Sequence, residues 1–376
     1  MKILQLIPNI SGGGAERLVV DLSNQLAKKH DVSLLTLYDP READLFRDQI
    51  GTDVNTQSLG KKLGFDWRVI PKLYQAVKRI APDVIHNHLR TFNYLMPAMP
   101  FLGDVPVVHT VHNDAFKECP DNKIRFVRKQ FFKRKYIMPV TISSESADSF
   151  TKAYPNIRHK LIRNGRRYPQ RSNRFSKVKD KINEYRKDDR TKVFVNIGRI
   201  IPQKNQLMLV EAFNKLVYEH DANAVLIIIG GGRNTEESRQ IQQQLKQAEQ
   251  KHGHIHLLGE RPNATDYLHV ADYFSLSSLY EGMPITLIEA FATGCIPVCT
   301  PVGGIPEMVK ELDDSLLAES VDQDDYVQGL QIASSIAPYK QDELKEQAVS
   351  LFGEKYSMEH CAGKYLELYK ELIDKK

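Results

Sequence analysis

Short apolar segments alternate with longer amphipathic ones along the first half of the chain. Apolar runs predict strands at 2–8, 31–38, 82–88, 105–113 and 136–143. Apolar residues recur at helical spacing in 15–29 and 66–80, which predicts two amphipathic helices. Strands that are apolar on both faces and separated by helices are typical of parallel sheets built from βαβ units.

The same alternation restarts after a polar, charge-rich stretch at 171–191, which is either a linker or an exposed helix. Further strands are predicted at 192–198, 224–232, 255–259 and 273–278. Each half begins with a strand, a glycine-containing loop and a helix, which indicates two similar α/β domains facing each other. We place these domains at 1–175 and 176–356, and we expect the C-terminal helix within 357–376 to pack back on the first.

Size and composition agree with two soluble globular domains. The chain has 376 residues, 41% of them hydrophobic and 26% charged, and a single core rarely extends so far. The N-terminal apolar run is short and leads into glycines, so it predicts a strand instead of a signal peptide. Four cysteines form no C-x-x-C pair, and we expect buried free thiols in a reducing cytoplasm.

Charge is distributed unevenly along the chain. Residues 1–176 hold 29 Lys or Arg against 16 Asp or Glu, whereas the remainder holds 23 against 31. Segment 123–136 interleaves Phe126, Val127, Phe131 and Phe132 with basic residues. Three interpretations stay open: a solvated helix face, an anionic membrane surface, or nucleic acid. The last is the weakest, because no recognised nucleic-acid module accompanies the charge, and we expect no nucleic-acid partner.

Ligands of parallel α/β sheets bind at the carboxyl ends of the strands, so the loops there are the candidates. The first loop, 9–17, contains three glycines and opens a helix. Such a loop suits an anion, although it matches neither the dinucleotide fingerprint nor a P-loop, and a simple flexible turn is the alternative. In the second half, Arg199 and Lys204 lie in a strand-to-helix loop, where two cations suit a diphosphate.

Two glutamates, Glu281 and Glu289, have seven residues between them, and a Gly-Met-Pro turn follows the first. Gly282 lets backbone approach a ligand, and Pro284 fits the first turn of a helix. Both carboxylates then reach one cleft as acceptors for sugar or ribose hydroxyls. The alternative is a capping acid and a buried salt bridge.

A metal site is not expected. Asp322 and Asp324 form a D-x-D string, but they precede a helical pattern instead of following an apolar strand. Acids at a helix start interact favourably with its dipole, which explains the string without a cation.

These segments together resemble glycosyltransferase family 4, retaining enzymes of the GT-B fold, in which two Rossmann-like domains with parallel sheets face each other across a cleft. The resemblance covers most of the chain and rests on the motifs GGGAE, VTISS, IRNGRR, GRIIPQKN, LLGERPN, YEGMPITLIEAFATGCIPV and TPVGGIPEMV. The glutamate spacing followed by AFATGCIPV is its most specific part.

The resemblance implies a role for each candidate residue. Glu289 binds the ribose, Glu281 lies beside the donor sugar, and Arg199 and Lys204 take the diphosphate. The family often has a histidine near the donor sugar, and of His109 and His112 only the second matches the strand-end position. Catalysis is therefore expected from Glu281, His112, Arg199 and Lys204. The other donor-binding residues are expected to be Gly13, Gly14, Arg261, Gly282, Met283, Pro284, Ile285 and Thr286.

The sequence departs from the family pattern in two places. Asn205 stands where the loop after the second domain's first strand usually ends in glycine, and Arg166-Arg167 follow Asn164-Gly165 where Val-Asp is usual. The second change adds cations near the expected hinge.

The resemblance implies transfer of a sugar from a nucleotide diphosphate sugar, with UDP favoured, to a lipid-linked or polysaccharide acceptor in cell-surface glycan synthesis. We expect no cofactor and no metal, and a cytoplasmic enzyme that is peripheral on the inner face of the membrane through the basic segment 123–136. Two alternatives stay open: a catalytically silent sugar-nucleotide- or glycan-binding subunit, and a sugar-nucleotide epimerase on the same fold.

Overall fold

The computed structural model describes residues 1–41 and 44–375. The chain divides into two compact units, Met1–Arg167 with Lys355–Lys376, and Tyr168–Glu354. Each unit is built on a parallel sheet, as the alternation of the sequence predicts.

Unit 1 contains a seven-stranded sheet in the order β3-β2-β1-β4-β5-β6-β7. Its strands are β1 Lys2–Ile7, β2 Asp31–Thr36, β3 Val54–Ser58, β4 Val84–His88, β5 Val107–Val111, β6 Ile137–Thr141 and β7 Lys160–Leu161. Its helices up to the division are α1 Gly14–Ala27, α2 Val69–Ile80, α3 Phe92–Ala98, α4 Ala115–Glu118, α5 Asn122–Phe132 and α6 Ser144–Ala153. Apolar residues cover both faces of the sheet, one with α2 and α3 and the other with α1. The order of strands reverses between β1 and β4.

Unit 2 contains a five-stranded sheet in the order β10-β9-β8-β11-β12. Its strands are β8 Lys192–Ile197, β9 Ala224–Ile229, β10 Ile255–Gly259, β11 Tyr273–Leu276 and β12 Ile296–Cys299. Its helices are α7 Phe175–Tyr185, α8 Gln206–Tyr218, α9 Glu236–Lys251, α10 Thr265–Leu268, α11 Ile285–Thr293, α12 Ile305–Leu312, α13 Gln323–Ser335 and α14 Pro338–Leu351. The order of strands reverses between β8 and β11.

The strands that the sequence pattern did not predict are edge strands. In β3, four of the five residues are not buried, so it lacks an apolar signal. Strand β12 contains Pro297, which a central strand rarely tolerates. The exposed residues of β3 and the proline of β12 are both tolerated because these strands lie at the edges of their sheets, which the sequence does not show.

The division between the units lies at 167/168, before the boundary at 175/176 that the sequence suggested. Residues 168–175 belong with unit 2, because the backbone N–H of Ser172 donates to Asp266 Oδ1 at 2.8 Å and the carbonyl of Pro169 accepts from His269 Nε2 at 2.8 Å. The charge-rich stretch at 171–191 contains α7, whose apolar residues Val178 and Ile182 are buried.

The C-terminal helix α15, Met358–Asp374, belongs to unit 1 and packs beside α1. Its Tyr369 hydroxyl lies 2.6 Å from His86 Nδ1. Gly165 approaches it so closely that a Cβ there would lie 2.6 Å from the carbonyl oxygen of Ser357. Arg166, one of the extra cations, is buried in an ion pair with Asp21 on α1. That cation therefore joins segment 164–167 to helix α1 within unit 1.

All four cysteines are buried and free, as expected. Across the described part of the chain, no helix is both long enough and apolar enough to span a bilayer.

Candidate functional site

The candidate site of unit 2 lies where the strand order reverses, at the carboxyl ends of β8 and β11. These two strands are hydrogen-bonded neighbours. The chain leaves β8 into loop 198–205 and leaves β11 into loop 277–284. Because the helices that follow the two strands diverge at such a point, the loops leave a crevice between them. The predicted Arg199, Lys204 and Glu281 all lie in these two loops.

The two loops meet through a short ion pair. Lys204 Nζ lies 2.5 Å from Glu281 Oε1, and Ser278 Oγ donates to the same oxygen at 2.6 Å. The side chains are only 13% and 9% exposed, which weakens the screening of their attraction by water. Sequence reasoning identified both partners but missed Ser278, which stands in the apolar run before Glu281.

Backbone contacts hold the two loops together beside this ion pair. The N–H of Leu279 donates to the carbonyl of Gln203 at 2.8 Å, and the Gln203 amide donates to the carbonyl of Tyr280 at 2.8 Å. Lys204 and Glu281 therefore sit on a braced pair of loops, which favours a fixed arrangement of their charges.

Asn205 explains one departure from the family pattern. It has φ 52° and ψ 39° and directly precedes helix α8. This left-handed conformation is most easily adopted by glycine, and asparagine is among the few other residues that adopt it routinely. Asparagine thus replaces glycine here with little change in backbone path.

The loop after β12 packs against the Gly282 turn. The N–H of Gly304 donates to the Gly282 carbonyl at 2.6 Å. A Cβ on Gly303, where φ is +62°, would lie 2.3 Å from the Glu281 carbonyl oxygen. The sequence motif TPVGGIPEMV contained both glycines, but only the fold shows that they support Glu281 and Gly282.

Helix α11 carries the rest of the predicted donor-binding residues. Pro284 precedes its first residue, Ile285, and Met283 before it is buried. Thr286 is half-buried in the first turn, and Glu289 lies further along the same helix, where it is 6% exposed. The helix start points unsatisfied backbone N–H groups toward the turn.

The other predicted residues of unit 2 lie on neighbouring loops. Arg199 is exposed after β8, and its carbonyl accepts from the Gln206 amide at 2.9 Å. Arg261 is exposed after β10, two strands away from β8 in the sheet. Gly230, after β9, packs against the loop after β8, because a Cβ there would lie 1.8 Å from the Gly198 carbonyl oxygen. This close packing leaves no room for a side chain at position 230.

In unit 1 the glycine-rich loop follows β1, at the other point of strand reversal. Gly13 precedes helix α1 and Gly14 is its first residue. The Gly13 carbonyl accepts from the N–H of Arg17 at 3.0 Å, as the first helical hydrogen bond. The predicted position of both glycines at a helix start is confirmed.

His112 follows β5 directly, as predicted, and is 6% exposed. Its Nε2 lies 3.0 Å from Nδ1 of His88, and its backbone N–H donates to Glu118 Oε2 at 3.1 Å. Burial lowers the pKa of His112 to about 4, so the ring is neutral near pH 7. His109 lies inside β5, fully buried, with Nε2 3.0 Å from Glu118 Oε1.

Glu118 is a buried carboxylate that contacts both His109 and His112. Burial by itself raises its pKa, but the hydrogen bond with His109 and the nearby Arg128 bring that pKa down to about 2. Arg128 Nη1 lies 3.4 Å from Glu118 Oε1, and its side chain is 2% exposed. The sequence pattern showed Arg128 as one of many surface cations, whereas the fold makes it the counter-ion of Glu118.

A hydrogen-bond chain constrains the tautomer of His112. His88 Nε2 lies 2.8 Å from the amide oxygen of Gln5, which can only accept, so His88 donates from Nε2. Burial and neighbouring histidines hold the pKa of His88 well below its usual value, so its Nδ1 is an acceptor. His112 then donates from Nε2, and its own Nδ1 is left as an acceptor suited to a hydroxyl.

No group of three or more His, Cys, Asp or Glu within residues 1–41 and 44–375 is arranged to hold a metal ion. Asp322 precedes α13 and Asp324 lies in its first turn, 2.7 Å from Lys215 Nζ. The D-x-D string thus lies at a helix start, as predicted, and Asp324 also forms an ion pair that the sequence did not predict.

Two family models match the chain. The model described as Glycosyltransferase Family 4 matches residues 12–167, and the model described as Glycosyl transferases group 1 matches residues 177–349. Together they cover both units. The chain belongs to glycosyltransferase family 4. It is an enzyme of the hexosyltransferase kind.

Curated relatives agree with this assignment of the glycosyltransferase. It is 28% identical over 278 residues, 70% of each chain, to the Escherichia coli UDP-Gal:alpha-D-GlcNAc-diphosphoundecaprenol alpha-1,3-galactosyltransferase. It is 25% identical over 325 residues to the capsular polysaccharide biosynthesis glycosyltransferase CapH of Staphylococcus aureus, covering 84% of this chain and 85% of CapH.

Solved structures show that the glycosyltransferase has the GT-B fold. The Anabaena protein HepE, in complex with UDP-glucose, superposes with a TM-score of 0.79 at 18% identity. The superposition covers 99% of this chain and all of HepE. At this identity the likeness concerns the fold alone.

Proposed function

We propose that the enzyme transfers a sugar, with retention of configuration, from a UDP-sugar to a lipid-linked or polysaccharide acceptor in cell-surface glycan synthesis. The observation that carries the donor assignment is the Lys204–Glu281 pair beside the Gly282 turn and the start of α11. This arrangement offers a cation and backbone N–H groups for phosphate next to a carboxylate for hydroxyl groups. HepE was solved with UDP-glucose, and the galactosyltransferase relative is named for UDP-Gal and a diphosphoundecaprenol acceptor, which supports the choice of donor and acceptor classes.

Each donor-binding residue then has a chemical task. Lys204 and Arg199 bind the diphosphate, and the backbone from Gly282 to Thr286 contributes N–H donors except at Pro284, which has none. One of the three ammonium donors of Lys204 is directed at Glu281, so the ammonium has capacity for phosphate. Among the described residues, Lys204 and Ser278 both bond to Oε1 of Glu281. The other carboxylate oxygen, Oε2, is therefore proposed to accept a hydrogen bond from a sugar hydroxyl.

Charge stabilisation of the leaving diphosphate is the proposed source of catalysis. As the bond to the sugar breaks, negative charge grows on the UDP, and fixed cations and helix-start N–H groups stabilise it without a metal ion. In unit 1, His112 is proposed to contact the donor sugar through its acceptor Nδ1. Replacing His112 by Ala is expected to lower the transfer rate without weakening UDP binding.

Retention is proposed to proceed by front-face attack assisted by the leaving phosphate. NMR of the product measures it with an anomerically pure donor. A product inverted relative to the donor would exclude this mechanism. Conversion of the donor without any acceptor would instead indicate an epimerase.

Two matched variants test the donor site by calorimetry with UDP. We expect Glu289→Ala to weaken UDP binding about tenfold to a hundredfold, because it removes charged hydrogen bonds to the ribose. Glu281→Ala should mainly reduce transfer. Glu211→Ala, an exposed glutamate on α8, is the control. Unchanged UDP affinity in Glu289→Ala would show that this carboxylate does not hold the nucleotide.

Binding of the acceptor membrane is proposed for the basic segment 123–136. Helix α5 occupies most of this segment, with Arg128 and Phe132 buried and Phe126 and Val127 exposed. An exposed apolar strip among lysines and arginines suits an anionic membrane surface, and we place the enzyme at the cytoplasmic face of that membrane. Equal sedimentation with neutral and anionic vesicles at low salt would argue against the electrostatic part of this proposal.

A further inference from the structure

A second segment of unit 1 turns its apolar side chains outward. We call residues 60–68 the apolar loop. Leu63, Phe65 and Trp67 are 88%, 71% and 68% exposed. Exposed loops usually present polar side chains to water, and large apolar side chains exposed side by side commonly mark an interaction site.

Two polar side chains of the apolar loop, Asp66 and Lys61, bond within the protein instead. Asp66 is only 7% exposed and accepts a hydrogen bond from the N–H of Lys62 at 3.1 Å. Arg68 holds the same carboxylate through Nε at 2.8 Å and Nη2 at 3.1 Å. The hydroxyl of Tyr94 accepts from the N–H of Asp66 at 3.2 Å.

Lys61 completes this internal bonding. Its ammonium donates to the Tyr38 hydroxyl at 2.8 Å, to the carbonyl of Lys62 at 2.9 Å and to the carbonyl of Gly64. The loop is therefore held in one conformation by its own polar groups. The outward apolar side chains belong to that ordered conformation.

The apolar loop and the basic helix α5 are attached to adjacent residues of α3. The Phe65 ring stacks on the ring of Tyr94, with centroids 5.3 Å apart and planes inclined by 14°. The side-chain oxygen of the preceding residue, Asn93, accepts from Arg128 Nη2 of α5 at 2.9 Å. The loop and α5, with its exposed Phe126, are therefore both anchored on α3 in unit 1.

Charge and side-chain type together favour an anionic bilayer as the partner. Lys62 is exposed, and the Arg68 side chain is 50% exposed. A tryptophan and a phenylalanine flanked by cations are suited to the interfacial region of a membrane. Nucleic acid would use the aromatic rings for stacking but has no use for Leu63, the most exposed of the three.

We propose that the apolar loop inserts Leu63, Phe65 and Trp67 into the headgroup region of an anionic bilayer, with α5 lying on the same surface. This inference rests on the proposed function in one respect: membrane binding would bring the enzyme to a lipid-linked acceptor. Its evidence is independent of nucleotide binding, so the two proposals can fail separately.

The chain contains its own probe for this contact, since Trp67 is its one tryptophan. We expect its fluorescence emission to shift to shorter wavelength when the full-length protein is mixed with vesicles containing phosphatidylglycerol. Phosphatidylglycerol with brominated acyl chains should quench it. Phosphatidylcholine vesicles should produce a much smaller shift, because they lack the anionic charge that attracts the lysines.

Two variants separate the apolar and electrostatic contributions and keep Trp67 as the reporter. Leu63→Ala should weaken vesicle binding about fivefold, as expected for partial burial of one leucine. Lys62→Glu should weaken binding to anionic vesicles about thirtyfold, because it changes two charges near the surface. Tyr339→Ala, which removes a side chain 77% exposed in unit 2, is the control and should bind like the wild type. Thermal melting verifies that every variant is folded.

The outcomes are distinct. An unchanged Trp67 emission while the protein still sediments with vesicles would assign membrane binding to another surface and overturn the proposal. Absence of both sedimentation and emission shift would overturn it as well, as would a shift produced only by single-stranded nucleic acid or by a protein. UDP calorimetry without vesicles tests the donor site separately, whichever result is obtained.

Discussion

Gly303→Ala tests whether the Gly282 turn depends on the loop beneath it. The added Cβ would lie 2.3 Å from the Glu281 carbonyl oxygen and 2.8 Å from that of Gly282. Carbon and oxygen atoms in contact are normally more than 3 Å apart, so one of the two backbones must move by about 1 Å. The hydrogen bond from Gly304 to Gly282 lies at this contact and is expected to break.

The energetic cost has two parts that can be separated. An alanine at φ +62° costs about 1–2 kcal/mol by itself, because this left-handed conformation brings Cβ too close to the backbone. The displacement of Glu281 and Gly282 is additional. A misplacement of about 1 Å in a binding site costs about a hundredfold in catalytic efficiency, and we expect UDP affinity to fall at least about tenfold.

Calorimetry with UDP and with UDP-glucose measures the effect, and thermal melting measures stability. The control is Gly103→Ala, where φ is +70° but no atom lies within 4 Å of the added Cβ. Gly103 belongs to unit 1, so this variant reports the backbone strain without altering the donor site. If Gly303→Ala binds UDP as tightly as Gly103→Ala does, the support of the Gly282 turn is not needed for nucleotide binding.

Three further predictions concern stability. Acidification from pH 7 to 5 should lower the free energy of unfolding by about 2 kcal/mol through His112 alone. The pKa of His112 is about 4 in the folded protein and 6.5 in the unfolded chain. Between these values the unfolded chain binds a proton that the folded protein does not, so a lower pH favours unfolding. Glu118 has a pKa of about 2 in the folded protein and 4.5 in the unfolded chain, so the free energy of unfolding should fall further below pH 4.5. A urea unfolding midpoint that does not change with pH would contradict both effects. Asn205→Val should cost about 1–2 kcal/mol in thermal melting while Asn205→Gly is tolerated, because a β-branched residue disfavours the left-handed conformation; equal melting temperatures would refute this. Gly230→Ala should lower the melting temperature well beyond Gly253→Ala, since its Cβ would lie 1.8 Å from a backbone carbonyl oxygen whereas that of Gly253 meets nothing within 4 Å.

Much of the fold could be predicted because its signals are local. Central strands of a parallel sheet are buried on both faces, so β9 appears in the sequence as an uninterrupted apolar run, and residues 3–7 of β1 as an apolar run interrupted only by Gln5. The candidate residues of unit 2 were also predictable, since they follow strands and stand in short motifs. The edge strand β3 was not, because an edge strand does not need an apolar pattern. The edge strand β12 was not either, because Pro297 argues against a strand although its residues are apolar.

The relations among the candidate residues were less accessible. Glu118 gave no functional signal, yet its carboxylate contacts the backbone of His112 and the side chain of His109. Gln5 stands in an apolar strand, where nothing in the pattern links it to a histidine more than eighty positions away. Partners so distant in sequence meet only when the sheet forms.

The sequence by itself determined the two α/β units, the loops that carry the candidate donor site and the identities of its charged residues. These properties depend on periodicity and on short motifs, which are local. Only the tertiary structure decided that Lys204 pairs with Glu281, that Gly303 supports the turn between the loops, and that Arg128 is a buried counter-ion instead of a surface charge. Each of these is a contact between segments far apart in the chain, and burial in the folded protein decides its strength.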